Sequence, residues 1–427
     1  MARALEGIKV IDVSQVAAVP MCARHLADFG ADVIHVENPN IGDSWRVFQA
    51  NHTAAMSAAP SSMNYNWEVY NRNKRSMTLN LAQESGRKIL YRLIEKADVF
   101  LTNLRTFEME RFGVEYAQLS SINPRIIYGS VSGFGKSGPD KDLPAYDTTA
   151  YWARSGIPYV FSVLGVPILA YRPGFGDNVA ALALAYGVIM ALFVRERTGV
   201  GQEVHVPLLH TGMYQISFDI AGALATGLDF ADWRESPPPE AVTQAQRATA
   251  EIALFYASKT TNPLSGSYTT KDLRRIVVVA LQPDRYWKKF CLAIGREDLA
   301  NDPRYQTMEG RAEHCAALRR TIGETFATKT LEEWLPLLED NIPYAPVQNV
   351  KEAINDRQAR ASGSFVSYDH PKYGRIEGLA NPVFLSEMPA DIRMPAPEWG
   401  QHTEEILLEV GYSRDNIARF KEQKVIA

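Results

Sequence analysis

Residues 9–37 read KVIDVSQVAAVPMCARHLADFGADVIHVE, and the order of elements in this stretch decides the fold. Lys9–Val13 is a short apolar run of strand length. Pro20 opens a helix, at a position where a missing N–H costs nothing because the first helical N–H groups have no partner within the helix. Leu26 and Phe29 give that helix an apolar face, and Gly30 supplies its stop. Ala31 to Glu37 reads as a second strand. Two strands joined by one helix imply parallel pairing.

The same alternation continues outward from this unit. Glu84 to Lys96 is expected to be helical, and Val99 to Leu101, Arg125 to Val131 and Val204 to Val206 to be strands. Roughly the first 200 residues therefore read as an open, Rossmann-like α/β sheet with helices on its faces. The run from Val179 to Val194 is the most apolar in the chain. It falls short of the ~20 residues of a membrane span, and its all-round apolarity predicts a core helix buried on every side. Pro237-Pro238-Pro239 marks a linker. Residues 267–281 read as a hairpin turning near Lys271-Asp272, and helical segments follow from Pro283 to about Leu338. The tail from His402 reads as two helices separated by Gly411. The expected organisation is a large Rossmann-like domain of residues 1–225 with 345–427, a linker at 226–260 and a small α/β domain at 261–344.

A chain of 427 residues is too long for one ordinary core. With 46% hydrophobic and 22% charged residues it is a folded protein rather than a disordered one. A net charge of −4 gives no general attraction to nucleic acid or to an anionic membrane, and neither is expected as a partner. Cys22, Cys291 and Cys315 have neither the number nor the spacing of a disulfide framework or a zinc site. A reducing, cytoplasmic setting without a bound metal is expected. The opening MARALEGIKVIDVS lacks the apolar stretch of a signal peptide.

Four segments could carry chemistry. The turn Ser14–Pro20 contains no glycine, whereas a dinucleotide fingerprint needs G-x-G-x-x-G there for close approach of a pyrophosphate. That argues against a nicotinamide oxidoreductase. Asn71–Ser76 carries three cations in four positions, which suits a phosphate or carboxylate contact, although a solvated charge run is the commoner meaning. Ser132–Pro139 is Gly-rich at the end of a strand, but lacks the spacing of a P-loop. In Gly174–Asn178 (GFGDN), Asp177 precedes the apolar helix. A helix cap is the commonest use of such a residue. The alternative is a carboxylate nucleophile, for which neighbouring glycines leave room.

Ten pieces in order along nearly the whole chain resemble the family III CoA-transferases, the group that includes formyl-CoA transferase and the carnitine and bile-acid CoA-transferases. They are LEGIKVIDVSQ, LADFGADVIHVENP followed by Gly42-Asp43, NRNKRSMTLNL, ADVFLTNLRTFEMERFGV, NPRIIYGSVSGFGKSGP, PAYD, GFGDN, RTGVGQEVHV, NPLSGSYTTKD and HTEEILLEVGY. The resemblance implies an acyl-CoA donor, a carboxylic acid acceptor and no permanently bound cofactor or metal. It also implies two interlocked subunits, expected here as a homodimer with a heterodimer as the alternative. It makes Asp177 the nucleophile, acylated to a mixed anhydride and then converted to an aspartyl-CoA thioester. Gln15, Ala17, Tyr146, Asp147 and Gly176 become its neighbours. Val16, Asn38, Lys74, Arg75, Asn103, Leu104 and Arg111 become candidate CoA contacts. Where some members carry a glutamine, this chain has Ala17, so the oxyanion contact falls to Gln15 or to backbone amides. Leu264–Ser267 is the candidate for the family's Gly-rich flap, with a single glycine.

Two rivals share the fold. α-Methylacyl-CoA racemases use a histidine where this chain has Tyr146, and a tyrosine with an ordinary pKa of ~10 is a poor base near neutral pH. A non-catalytic CoA-binding subunit would have no need of Asp177.

Overall fold

The computed structural model describes residues 3–46, 63–161, 172, 174–227 and 261–427. They form two compact units. The larger takes the described residues up to 227 and those from 361 onward, and the smaller takes residues 261–360. The chain thus re-enters the larger unit at Ala361, not at residue 345. The reason is that Tyr344–Pro346 is a strand of the smaller unit's sheet. The expected linker lies outside the described residues, apart from Thr226 and Gly227, which end a helix.

The larger unit is built on six strands: β1 (Lys9–Val13), β2 (Asp32–Glu37), β3 (Lys74–Thr78), β4 (Val99–Thr102), β5 (Ile127–Ser132) and β6 (Glu203–Pro207). Their order is β3-β2-β1-β4-β5-β6 and every pairing is parallel. This is a mixed α/β fold with its topological switch between β1 and β4, where ligands of such sheets bind. Among the described residues up to 227, nine α-helices accompany these strands: α1 (Ala18–Asp28), α2 (Tyr65–Asn71), α3 (Glu84–Ile94), α4 (Thr106–Phe112), α5 (Tyr116–Ile122), α6 (Ile157–Phe161), α7 (Phe175–Thr198), α8 (Leu208–Gln215) and α9 (Ser217–Thr226).

Strand periodicity sorts the core into two layers. Val10, Val99, Leu101 and Ile127 face α1 and α7. Ile11, Val13, Phe100 and Tyr128 face α3, α5 and two helices near the C-terminus, Thr403–Glu409 and Arg414–Glu422. That later segment is stitched to β3. The His402 N–H donates to the Ser76 carbonyl at 2.9 Å, Asn80 N–H to Val425 at 2.8 Å, and Ala427 N–H to Thr78 Oγ1 at 3.0 Å. A hairpin of β10 (Phe365–His370) and β11 (Gly374–Leu379), absent from the sequence reading, also belongs here.

Helix α7 corrects an expectation. Ala180, Ala181, Leu184, Val188 and Ala191 are buried against the sheet and α1. On the opposite side Leu182, Tyr186, Ile189, Met190 and Phe193 are exposed, Tyr186 at 69%. The helix is apolar all round, yet among the described residues only one side is covered. By length and composition it could cross a membrane, but its inner side is a layer of the α/β fold.

The smaller unit has an antiparallel sheet of β7 (Ser265–Thr269), β8 (Arg275–Val279) and β9 (Tyr344–Pro346). Trp287, Phe290, Phe326 and Trp334 fill its core. The flap candidate is corrected here: Ser265, Gly266 and Ser267 are ladder-paired to β8, and Leu264 is fully buried.

Candidate active site

Parallel strands deliver their ends to one edge, and the singled-out residues gather there. Gln15, Val16 and Ala17 follow β1, Asn38 follows β2, and Asn103 and Leu104 follow β4. Helix α7 leads into β6 and lies on β5, so it runs back along the sheet with its N-terminus at this same carboxyl edge.

Asp177 does not cap α7. Gly174 is the N-cap, with φ +78°, and no side chain caps the helix. A side chain at Gly174 would also run into the Tyr70 hydroxyl, 2.5 Å from where its Cβ would lie. Asp177 sits in the first turn, half-buried, and its carboxylate accepts no hydrogen bond among the described residues. Burial, and then the nearby charge of Asp147, push its pKa up to about 7. An unpaired carboxylate with this value is partly protonated at neutral pH and reactive in its ionised form.

Asp147 opens a turn of π-helix, Asp147–Ala153, marked by the Arg154 N–H bonding the Thr149 carbonyl at 3.2 Å. Such turns are rare and collect at functional sites. The Gly176 N–H donates to Asp147 Oδ1 at 3.1 Å. Burial raises Asp147 to about 6, against the lowering effect of the backbone N–H groups of Gly176, Gly174 and Phe175. A Cβ at Gly176 would lie 2.2 Å from the Tyr151 ring and 2.4 Å from Asp147 Oδ1. The glycine is what lets the two acids approach. Tyr146 is 70% exposed beside them, and Phe175 packs on Trp152 at 5.2 Å. Tyr70 donates to Asn178 Oδ1 at 3.4 Å, and burial with the charges of Asp177 and Asp147 pushes its phenol well up.

The β1–α1 turn is held from two sides. Gln15 N–H donates to Asn103 Oδ1 at 3.0 Å, and Asn103 Nδ2 donates to the Gln15 carbonyl at 2.7 Å. Val16 N–H donates to Asp43 at 3.2 Å. Gln15 itself is exposed and Ala17 is buried. Asn38 is exposed, and its carbonyl accepts the Gly42 N–H at 2.9 Å. The Leu104 N–H donates to Thr102 Oγ1 at 3.1 Å. Arg111 is exposed on α4 over the Phe112 ring.

Two candidate CoA contacts are placed elsewhere. Lys74 has 0% exposure; its ammonium donates to Asp12 Oδ2 at 3.0 Å and Asn71 Oδ1 at 2.9 Å. Arg75 is tied to Asp32, Glu405 and Glu409. In this basic run Lys74 and Arg75 lie within strand β3, and Arg72 just before it; each of the three cations is paired with carboxylates of this chain, Arg72 with Asp28. Neither a solvated run nor a phosphate surface describes it. The residues missed by sequence reasoning are Asp43, His35 and Tyr70, whose contacts with Val16, Asp12 and Asn178 span 27, 23 and 108 residues.

The family model described as CoA-transferase family III matches residues 5–403. The chain belongs to CoA-transferase family III. It is accordingly an enzyme of the CoA-transferase class. Among its relatives in this family, the (R)-2-hydroxy-4-methylpentanoate CoA-transferase of Clostridioides difficile is 34% identical over 99% of both chains. The cinnamoyl-CoA:phenyllactate CoA-transferase of Clostridium sporogenes is 32% identical, covering 98% of this chain and 96% of its own. A CAIB/BAIF family protein from Brucella suis has the same fold, with a TM-score of 0.77 and 25% identity over 96% of this chain and 100% of its own.

Proposed function

We propose that this CoA-transferase moves CoA from an acyl-CoA to a free carboxylic acid with Asp177 as the covalent nucleophile. The observation that carries the reading is the unpaired, half-buried Asp177 carboxylate at the carboxyl edge of the sheet, beside Asp147. An Asp177 oxygen attacks the thioester carbonyl, the C–S bond breaks, and CoA leaves as thiolate. The thiolate then attacks the aspartyl carbonyl of the mixed anhydride and expels the donor carboxylate, leaving an aspartyl-CoA thioester. The acceptor carboxylate repeats both steps in reverse and regenerates Asp177. No proton is gained or lost overall, and the thioester's free energy is kept in covalent form throughout. Asp147, held by the Gly176 N–H, keeps Asp177 from being too weak a base. Gln15 or backbone amides at the start of α1, which has no side-chain cap, serve the oxyanion.

Exposed Tyr146 and Phe175 beside the two acids suit an apolar, branched or aromatic acyl group, in keeping with the substrates named for the clostridial relatives. The uncovered apolar side of α7 supports a homodimer in which a second copy buries it, interlocked as the family resemblance implies. Buried cysteines, of which Cys22 and Cys291 stand outside any disulfide, accord with a cytoplasmic setting.

The test is to trap the adduct. With acyl-CoA present, hydroxylamine should leave a hydroxamate on Asp177, seen by peptide mapping, and borohydride should inactivate the enzyme. Asp177→Ala should retain less than about a hundredth of wild-type turnover. Modification of Asp147 instead, or inactivation without substrate, would reject the assignment.

A further inference from the structure

We infer that Asp43 is a positioning residue for this reaction, holding the β1–α1 turn at Val16 in the conformation that presents Gln15 and the start of α1 to the reacting group. The inference rests on the placement of the reaction at Asp177.

Val16 has φ +70°. A β-branched residue occupies the left-handed region only when its surroundings impose it. What imposes it is visible. Both oxygens of Asp43 accept the Val16 N–H, at 3.3 and 3.2 Å. Asn103 fixes both backbone groups of the preceding Gln15. The turn is thus gripped by one side chain on each residue.

Asp43 is itself held. Its Oδ1 accepts the Trp45 N–H at 2.8 Å, and its own N–H donates to Glu37 Oε2 at 3.1 Å. His35 Nε2 stands 3.6 Å from Asp43 Oδ2, and His35 Nδ1 bonds Asp12 Oδ2 at 2.9 Å, the oxygen that also takes the Lys74 ammonium. Burial alone would lower His35, but the charge of Asp12 and the bond to it, with the Asp43 carboxylate on the other side of the ring, outweigh it and bring it up to about 9. Lys74 on β3, Asp12 on β1, His35 on β2 and Asp43 just past β2 therefore form one row of titratable groups, each almost wholly excluded from solvent. Burying such a set is costly. Its outer end is the Val16 amide.

A second route leads from Asp43 to the nucleophile. Trp45 stacks on Tyr70, with ring centroids 5.8 Å apart and planes at 17°. The Tyr70 hydroxyl meets Asn178, next to Asp177. An asparagine at 43 keeps one oxygen for the Trp45 N–H and turns an NH2 group, which cannot accept, to the Val16 N–H; Val16 then relaxes to negative φ, and both Gln15 and the first amides of α1 are re-aimed.

A double-mutant cycle tests this. Asp43→Asn should lower kcat about tenfold while changing the KM for acyl-CoA less than about threefold. Glycine takes a positive φ without strain, so in a Val16→Gly background the same Asp43→Asn change should cost less than about twofold. Equal losses in both backgrounds, a loss confined to KM, or no loss overturns the inference. Melting midpoints of all four proteins separate loss of fold from loss of turnover. If Asp43→Asn does not accumulate as folded protein, His35→Gln runs the same cycle, since it removes the cation facing Asp43 and leaves Asp43 in place. Asp177→Ala is assayed in parallel. If it retains turnover, the nucleophile is misplaced, while the Asp43–Val16 coupling is still read from the other four proteins.

Discussion

The Gly176 N–H donates to Asp147 Oδ1 at 3.1 Å, which joins the π-helical turn to the first turn of α7 one residue before Asp177. Any side chain at position 176 must displace either the Tyr151 ring or the Asp147 carboxylate. Gly176→Ala should therefore cost about 1–3 kcal/mol of stability by overpacking and reduce turnover at least about tenfold. Thermal melting and kcat report the two effects; an unperturbed melting midpoint with full activity would show that the two segments separate freely.

The pair Asp147 and Asp177 predicts a pH profile. In the proposed mechanism Asp177 must be ionised to attack, and it is pushed up to about 7 by burial and by Asp147. The value of kcat/KM should rise with pH toward a plateau reached near or above neutrality, falling about tenfold per unit below the apparent midpoint. Asp147→Asn keeps an oxygen for the Gly176 N–H but removes the like charge, so the midpoint should move to lower pH. A midpoint that stays in place would mean burial alone sets the value.

The same shift bears on stability with a definite sign. Folded Asp177 keeps its proton up to about pH 7, whereas the ordinary value is 3.8. Between these values the folded chain binds more protons than the unfolded one, so this residue makes stability fall as pH rises. Asp177→Asn should be the more stable protein at pH 8, on the order of 1–2 kcal/mol after allowing for partial exposure, and no different at pH 4. Denaturant unfolding at the two pH values measures the difference.

The outward side of α7 gives a fourth expectation. Tyr186→Asp and Phe193→Asp place a charge on an apolar surface that Leu182, Ile189 and Met190 continue. Light scattering should show the wild type as a dimer and these variants dissociated. Unchanged mass would put the subunit contact elsewhere.

The sheet was legible because its signals are local. Strand β1 has the bounds the alternation predicts, and β2, β4, β5 and β6 differ by a residue or two at their ends. Residues at the ends of those strands were singled out by the family resemblance of the motifs that contain them, not by periodicity. Lys74 could not be read correctly. A lysine inside a strand looks solvated until its partner is known, and Asp12 lies 62 residues away. The Asp177 cap failed on a different ground: Gly174, three residues earlier, already starts the helix in a left-handed conformation. Val16 gave no signal at all, because its left-handed backbone is imposed by Asp43, not by its own preference. Helix α7 was read from composition, which cannot say whether an apolar side is covered by the same chain or by another.

The seams that tie residues 402–427 to β3 set an order on synthesis. Ser76, Thr78 and Asn80 leave the ribosome early, and their partners His402, Ala427 and Val425 emerge only after every residue of the smaller unit. The smaller unit can therefore close its own core while translation continues. The larger unit must wait with β3 as a bare edge, and an unpaired edge strand is a template for wrong pairing. Among the described parts of this protein, the nascent sheet is thus the stretch with most need of a chaperone, and its β3 edge is among the last things the chain completes.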